Sequence, residues 1–406
     1  MQTKLHEVFR EDQGAKRVAD LIKQCVHCGF CNATCPTYQV LGDELDGPRG
    51  RIYLIKQMLE GGSAGRITQR HLDRCLTCLN CETTCPSGVK YGQIVDIGRQ
   101  LVEARASRPP LERAARASLR SGLTSPLFAT AVALGRVFRG LLPRTLRDKI
   151  PARSTPPAPQ FGSHARKILL LRGCVQPALL PSIDAATIRV LDAAGIETRI
   201  AAATGCCGAL RTHLADHEGG LDDMRRNIDA WDEELKGQEV SAIVSSATAC
   251  ALSLKSYGEA LAHDAIYAAR AARVSALARD LSELLPQISL AIKGRVRSGR
   301  ERGVYHPPCT LQHGQKLRGG VEAGLRNLGF EVALPRDSHL CCGSAGTYSL
   351  LEPKVAGELR DWKLDNLLRS APDVIVSGNV GCIQHLRSGA SIPVKHWIEW
   401  LDEALT

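Results

Sequence analysis

The sequence predicts a small α-helical module followed by an α/β domain of two related βα lobes. Three observations carry that prediction. Two dense cysteine runs near the N-terminus flank a helical pattern. The C-terminal half alternates short apolar strands with helices. That half also repeats itself, with a Cys-Cys-Gly (CCG) turn in each copy, GCCGAL at 205–210 and LCCGSAG at 340–346.

The 406 residues are 44% hydrophobic and 4% aromatic, enough for two or three domains with aliphatic cores. Residues 1–104 form the first unit, with half of the 16 cysteines. Its two runs are CVHCGFCNATCP (25–36) and CLTCLNCETTCP (75–86), both C-x2-C-x2-C-x3-C-P. Between them RIYLIKQMLE places Ile52, Ile55 and Leu59 on one helical face, after DGPRG and before a GG stop. Residues 105–164 form a basic connecting segment, closed by a proline-rich linker from Pro151 to Pro159. The first lobe, 165–300, reads as strand KILLLRGC, helix Ser182–Ala194, strand ETRIAA and strand SAIVSSATAC. The second, 301–406, reads as strand GVYHPPC, a helix near Val321–Leu328, strand EVAL and strand DVIVSGNVGC. Cys174 to Cys206 and Cys309 to Cys341 are both 32 positions. Parallel βα units gather such residues at the carboxyl edge of the sheet, where eight thiols would converge.

The totals exclude several classes. The start of the chain is polar, without the apolar region of a signal peptide, and no run of about 18 apolar residues occurs. The cysteines are therefore expected in a reducing compartment, as metal ligands or redox groups rather than a disulfide framework. Net charge is +10, of which +9 falls between Arg105 and Arg153. No nucleic-acid-reading motif accompanies it, so no nucleic-acid partner is expected. Nor is there a G-x-G-x-x-G or Walker A sequence.

The eight N-terminal cysteines suit cubane clusters. C-x2-C-x2-C wraps three corners of a cube, and the fourth cysteine, held away by proline, ligates the other cluster in two-cluster ferredoxins. The expected sets are Cys25, Cys28, Cys31 with Cys85, and Cys75, Cys78, Cys81 with Cys35, giving two 4Fe-4S clusters in an α-helical ferredoxin-like domain. Structural zinc, which prefers two spaced pairs, fits these runs less well. His27 reads as a cluster neighbour or a solvated loop residue. Arg49 and Arg51 read as hydrogen-bond donors towards a dianionic cluster or as a polar helix entry. Two clusters, each −2 with its thiolates, would bring the charge to about +6. Cys174, Cys206, Cys207, Cys250, Cys309, Cys341, Cys342 and Cys382 are candidates for a further 4Fe-4S cluster. In the basic segment Leu134, Val137, Phe138, Leu141 and Leu142 share a face, with Arg136 and Arg139 at its edges. That face suits anionic lipid, a partner, or packing on its own domain.

Along its whole length the chain resembles the iron–sulfur subunits of glycolate oxidase (glycolate dehydrogenase). The stretches that carry this are CVHCGFCNATCPTYQVLGDELDGPRGRIYLIKQMLEG, HLDRCLTCLNCETTCPSGV, PPCTLQHGQKL, DSHLCCGSAGTYSL and HWIEWL. Relatives with the same combination are the iron–sulfur subunit of anaerobic glycerol-3-phosphate dehydrogenase, lactate-utilisation proteins and heterodisulfide-reductase-like proteins. The resemblance implies FAD-containing sister subunits that oxidise glycolate to glyoxylate. This chain would pass their electrons to a quinone or other acceptor, at the cytoplasmic face of the inner membrane, with peripheral membrane association. A lactate or glycerol-3-phosphate dehydrogenase subunit, or a thiol/disulfide oxidoreductase, are the alternatives. In heterodisulfide reductases each repeat closes with C-x-x-C. Here Cys250 is followed by Ala-Leu-Ser253 and Cys382 by Ile-Gln-His385, so the fifth cysteine is missing in both copies. His385 reads as a candidate replacement ligand or as a surface histidine.

Overall fold

The computed structural model describes residues 1–141, 150–151, 161–236, 239–297 and 299–406. The proline-rich linker and Leu142 fall largely or wholly outside them.

Among the described residues, the N-terminal unit is built from helices without a strand. Helices Gln13–Lys23, Pro48–Gly61, Arg66–Asp73 and Tyr91–Glu103 enclose Val18, Ile22, Ile52, Ile55, Leu59, Leu72, Ile94 and Val95. Asp12 caps the first helix through the Ala15 N–H. The second starts at Pro48, inside the DGPRG stretch rather than after it, because proline is suited to the first helical position. The predicted face holds: Ile52, Ile55 and Leu59 are all buried. Gly98 lets the last helix touch the second. A Cβ there would come within 2.6 Å of Ile55 Cδ1.

Two four-stranded parallel sheets follow. The first contains β1 (Arg166–Leu170), β2 (Ile196–Arg199), β3 (Val240–Ser245) and β4 (Ala278–Asp280), in the order β2-β1-β3-β4. The second contains β5 (Arg302–His306), β6 (Glu331–Ala333), β7 (Val374–Ser377) and β8 (Val394–His396), in the order β6-β5-β7-β8. All six pairings are parallel. Both sheets change direction of growth between their two central strands, where a crevice opens at the carboxyl ends. Strands β1, β2, β3, β5, β6 and β7 match the sequence reading. The outer strands β4 and β8, three residues each, are additions.

The lobes share one hydrophobic core. Ile168, Leu170 and Val244 of the first sheet belong to the same buried cluster as Val304, Ile375 and Val376 of the second. Helix Pro181–Ala193 packs on the C-terminal helix Trp397–Glu403, and Arg189 pairs with Asp402 across that seam. The connecting segment is also anchored. Helix Phe128–Val137 lies against residues 176–179, and Arg136 donates to the carbonyls of Ala178 and Leu179, both at 2.9 Å. This supplies the packing on its own domain that the sequence allowed. Leu134, Val137, Phe138 and Leu141 nevertheless remain exposed.

Candidate metal centres

In each N-terminal run the loop curls through two left-handed residues, His27 and Gly29 in the first, Thr77 and Leu79 in the second. Three of the four are not glycine, and Thr77 is β-branched, a conformation that costs roughly 1–2 kcal/mol per residue. The loop is thus held curled around its cysteines against its own preference. Cys25, Cys28, Cys31 and Cys85 line one open cavity, together with Cys81, Arg49, Ile52 and Pro86. Cys85 reaches this cavity from the other run. Cys28 is exposed, and Val26 and Phe30 beside it are 69% and 64% exposed. Burial, then the neighbouring Cys25, pushes the Cys31 thiol up to about 11. Five sulfurs line the cavity, and the four of the expected set, Cys25, Cys28 and Cys31 on the strained loop with Cys85 opposite, fit a cubane cluster. His27 is exposed, its ring 6.3 Å from that of Tyr53. Arg49 lines the cavity and donates to Glu44 at 2.5 Å.

The second set lies deeper. Cys35, Cys75 and Cys81 are buried and Cys78 is half-buried. Burial raises Cys81, with Cys78, Cys75 and Cys35 adding to it as neighbours. Several donors point at these sulfurs. The Thr77 N–H lies 3.4 Å from Cys75 Sγ and the Tyr91 hydroxyl 3.6 Å from it. Arg51, fully buried, sends one nitrogen to within 4.0 Å of Cys35 Sγ. Its guanidinium also donates to Thr37 Oγ1, the His71 carbonyl and Asp46. Buried Asp46 accepts from Arg74 and faces His71 Nδ1 as well, so both of its oxygens have partners. Donors of this kind suit anionic thiolates and raise a cluster's potential.

This second set abuts the second lobe. Cys78 packs against Cys309, Cys341, Tyr348, Val355 and Leu359. Asn80 donates to the His339 carbonyl at 3.2 Å, and Thr83 meets His313 Nδ1 at 3.1 Å.

The eight C-terminal cysteines gather at the crevices as two groups of four. In the first lobe Cys206 lies against Cys174 and Cys207, and Cys207 against Cys250. In the second, Cys341 lies against Cys309 and Cys342, and Cys342 against Cys382. Cys250 and Cys382 are not at strand ends. They occupy the first turns of helices Thr248–Lys255 and Val380–Arg387, which follow β3 and β7. Gly208 and Gly343 are left-handed, at φ 89° and 85°. A Cβ on either would strike backbone of the packed helix, the Gly220 carbonyl at 2.6 Å or the Ala356 carbonyl at 2.7 Å. His385 is not a surface residue. It is buried, and its Nε2 is 3.0 Å from the Ala356 carbonyl. The residue that does join the thiols is His306, at the end of β5: its ring, Cys342 and Cys382 place donor atoms within 4.8 Å of one another. The signal was in GVYHPPC, three residues before Cys309, where the first lobe has Leu171 before Cys174.

A family model described as 4Fe-4S dicluster domain matches residues 21–89, and one described as Cysteine-rich domain matches 168–255 and 304–387. The glycolate oxidase iron-sulfur subunit of Escherichia coli (strain K12) is 50% identical, with 100% of this chain and 99% of that protein covered. A probable glycolate oxidase iron-sulfur subunit of Bacillus subtilis (strain 168) is 26% identical over 90% of this chain and 88% of its own length. Lactate utilization protein A of Macrococcus caseolyticus (strain JCSC5402) is 26% identical over 59% of this chain and 99% of its own length.

Proposed function

The chain belongs to the family of glycolate oxidase iron-sulfur subunits, and from that premise we propose that it is the electron-transfer subunit of a flavin-dependent glycolate dehydrogenase. The observation that carries this is the serial placement of the two N-terminal cysteine sets. One opens to the surface at Cys28, and the other is buried against the second lobe. Cys25, Cys28, Cys31 and Cys85 would hold one 4Fe-4S cluster, and Cys35, Cys75, Cys78 and Cys81 the other. Each cluster, when bound, takes up and releases an electron. The protein's own part is to fix the two sites in one helical core, to exclude water from the second, and to aim Arg51, Tyr91 and the Thr77 N–H at its sulfurs. FAD belongs to sister subunits, where glycolate is oxidised to glyoxylate. Exposed Val26 and Phe30 beside Cys28 offer an apolar contact for such a partner.

The test is to purify the tagged chain anaerobically from its own cells. A flavin-containing protein should accompany it, and dye reduction should require both glycolate and the complex. Reduction driven by lactate but not glycolate would favour the lactate reading, which the partial match to lactate utilization protein A supports. Disulfide reduction by the lone chain would overturn the relay.

We further propose that the complex works at the cytoplasmic face of the inner membrane with a quinone acceptor, and that the exposed Leu134, Val137, Phe138 and Leu141 touch its surface. No helix among the described residues is long and apolar enough to cross a membrane. An apolar face edged by arginine suits interfacial binding. The chain should float with vesicles of anionic phospholipid at low salt. Replacing Val137, Phe138 and Leu141 by serine should release it. Equal flotation of the two proteins would refute the lipid contact at this face.

A further inference from the structure

The two lobes repeat one another closely enough that each serves as a control for the other. Two departures stand out. Three residues before the first cysteine, the first lobe has Leu171 and the second His306. Twenty-one residues after the cysteine pair, the first has Ile228 and the second Lys363. Leu171 and Ile228 are buried in an apolar cluster with Cys207. His306 and Lys363 are equally buried, at 0% and 2% exposure. Lys363 accounts for itself by donating to the Asp337 carbonyl at 2.7 Å. His306 does not: among the described residues neither ring nitrogen has a hydrogen-bond partner. A buried imidazole without a partner is costly, and such groups call for a specific explanation.

What faces the ring supplies one. His306, Cys342 and Cys382 are all buried, and their donor atoms lie within 4.8 Å of one another. Donors bound to one ion at about 2.0–2.3 Å are necessarily within about 4.6 Å of each other. The trio is therefore close to the spacing of a single metal ion, and tighter than cubane corner ligands, which the iron–sulfur core holds apart. Cys341 and Cys309 continue the series through contact with Cys342 and with each other. The Asn379 amide points at Cys382 Sγ from 3.6 Å, a donor placed to steady a ligating thiolate.

We propose that the second lobe binds a thiophilic divalent cation, of the zinc or iron(II) class, through His306, Cys342 and Cys382, with a thiolate of the neighbouring pair completing the set. The imidazole stands in for the missing second cysteine of the C-x-x-C ending, and it arrives from β5 rather than from the helix after β7. The first lobe, with leucine in that place, lacks the nitrogen ligand. Its three named ligands belong to neither N-terminal set, although Cys309 and Cys341 beside them adjoin Cys78, and the site does not depend on the substrate of the complex.

The experiment uses the full chain, purified anaerobically, as wild type, His306→Leu and His306→Cys. Metal content is measured before and after equilibration with zinc and dialysis, and the zinc-loaded protein is examined by X-ray absorption at the zinc edge. The wild type should retain about one zinc per chain, with the outer-shell scattering of a bound imidazole. His306→Leu, which copies the first lobe, should lose that ion while keeping the iron of the N-terminal clusters. His306→Cys should keep the ion and lose the imidazole signature, which tests the ligand even if the leucine variant folds poorly. Loss of about four irons on His306→Leu would overturn the single-ion site in favour of a cluster on the same ligands. Unchanged metal content in His306→Leu, or zinc bound without imidazole scattering in the wild type, would overturn it outright.

Discussion

Cys85→Ala should remove about four irons per chain and one of two cluster signals, and it should do so in company with Cys28→Ala rather than with Cys75→Ala. The reason is geometric. Cys85 lies 54 positions from Cys31 but lines the same cavity as Cys25, Cys28 and Cys31. Cys35→Ala should accordingly silence the cluster that Cys75→Ala silences. Iron analysis and low-temperature EPR of the reduced variants would show the pairing. If each run served only its own cluster, Cys85→Ala would match Cys75→Ala instead, and the crossed assignment would fall. With either cluster gone, glycolate-dependent electron transfer through the complex should drop to background.

Arg51→Met should be the most damaging substitution away from the cysteines. Arg51 is fully buried and ties Cys35, Thr37, Asp46 and the His71 carbonyl together. Removing one member of a buried ion pair costs about 3–5 kcal/mol. The lower end applies here because Arg74 still pairs with Asp46. The same change removes a positive charge beside a sulfur of the deeper set. With about 1.4 kcal/mol for a long charge-assisted bond, the one-electron potential of that cluster falls by roughly 60 mV. Thermal unfolding of the anaerobic protein and a redox titration would measure the two effects. A variant as stable as the wild type, with an unmoved potential, would show that the guanidinium only fills space.

Much of this architecture could be read in the chain because its chemistry is local. A C-x2-C-x2-C loop allows few geometries, and an apolar run ending at cysteine marks a central parallel strand. Strand β6 is as short as β4 and β8 but was read because it leads to a Cys-Cys-Gly turn, whereas β4 and β8 carry no such marker and escaped. They are defined by the strand already in place beside them. The roles of individual polar residues were least legible. Arg51 and Arg49 are two positions apart in GPRGR, yet one is sealed among sulfurs and the other pairs with Glu44 at the cavity rim. His385 was singled out for its nearness in sequence to Cys382, but the helix turns it towards the Ala356 carbonyl. His306 reaches Cys382 from across the sheet. Such a contact becomes visible only once β5 and β7 are neighbours.

The burial of the deeper cysteine set has a consequence for how the protein is made. Cys28 stands at the surface, so a metal donor can reach the first site in the finished fold. Cys35, Cys75 and Cys81 are enclosed, and the second lobe is fastened over Cys78 by Asn80 and Thr83. If that set holds a cluster, its assembly is expected to be easier before the lobe closes: iron and sulfide added to the folded apo-protein should restore the outer signal faster than the inner one, and equal rates would show that burial does not order the filling.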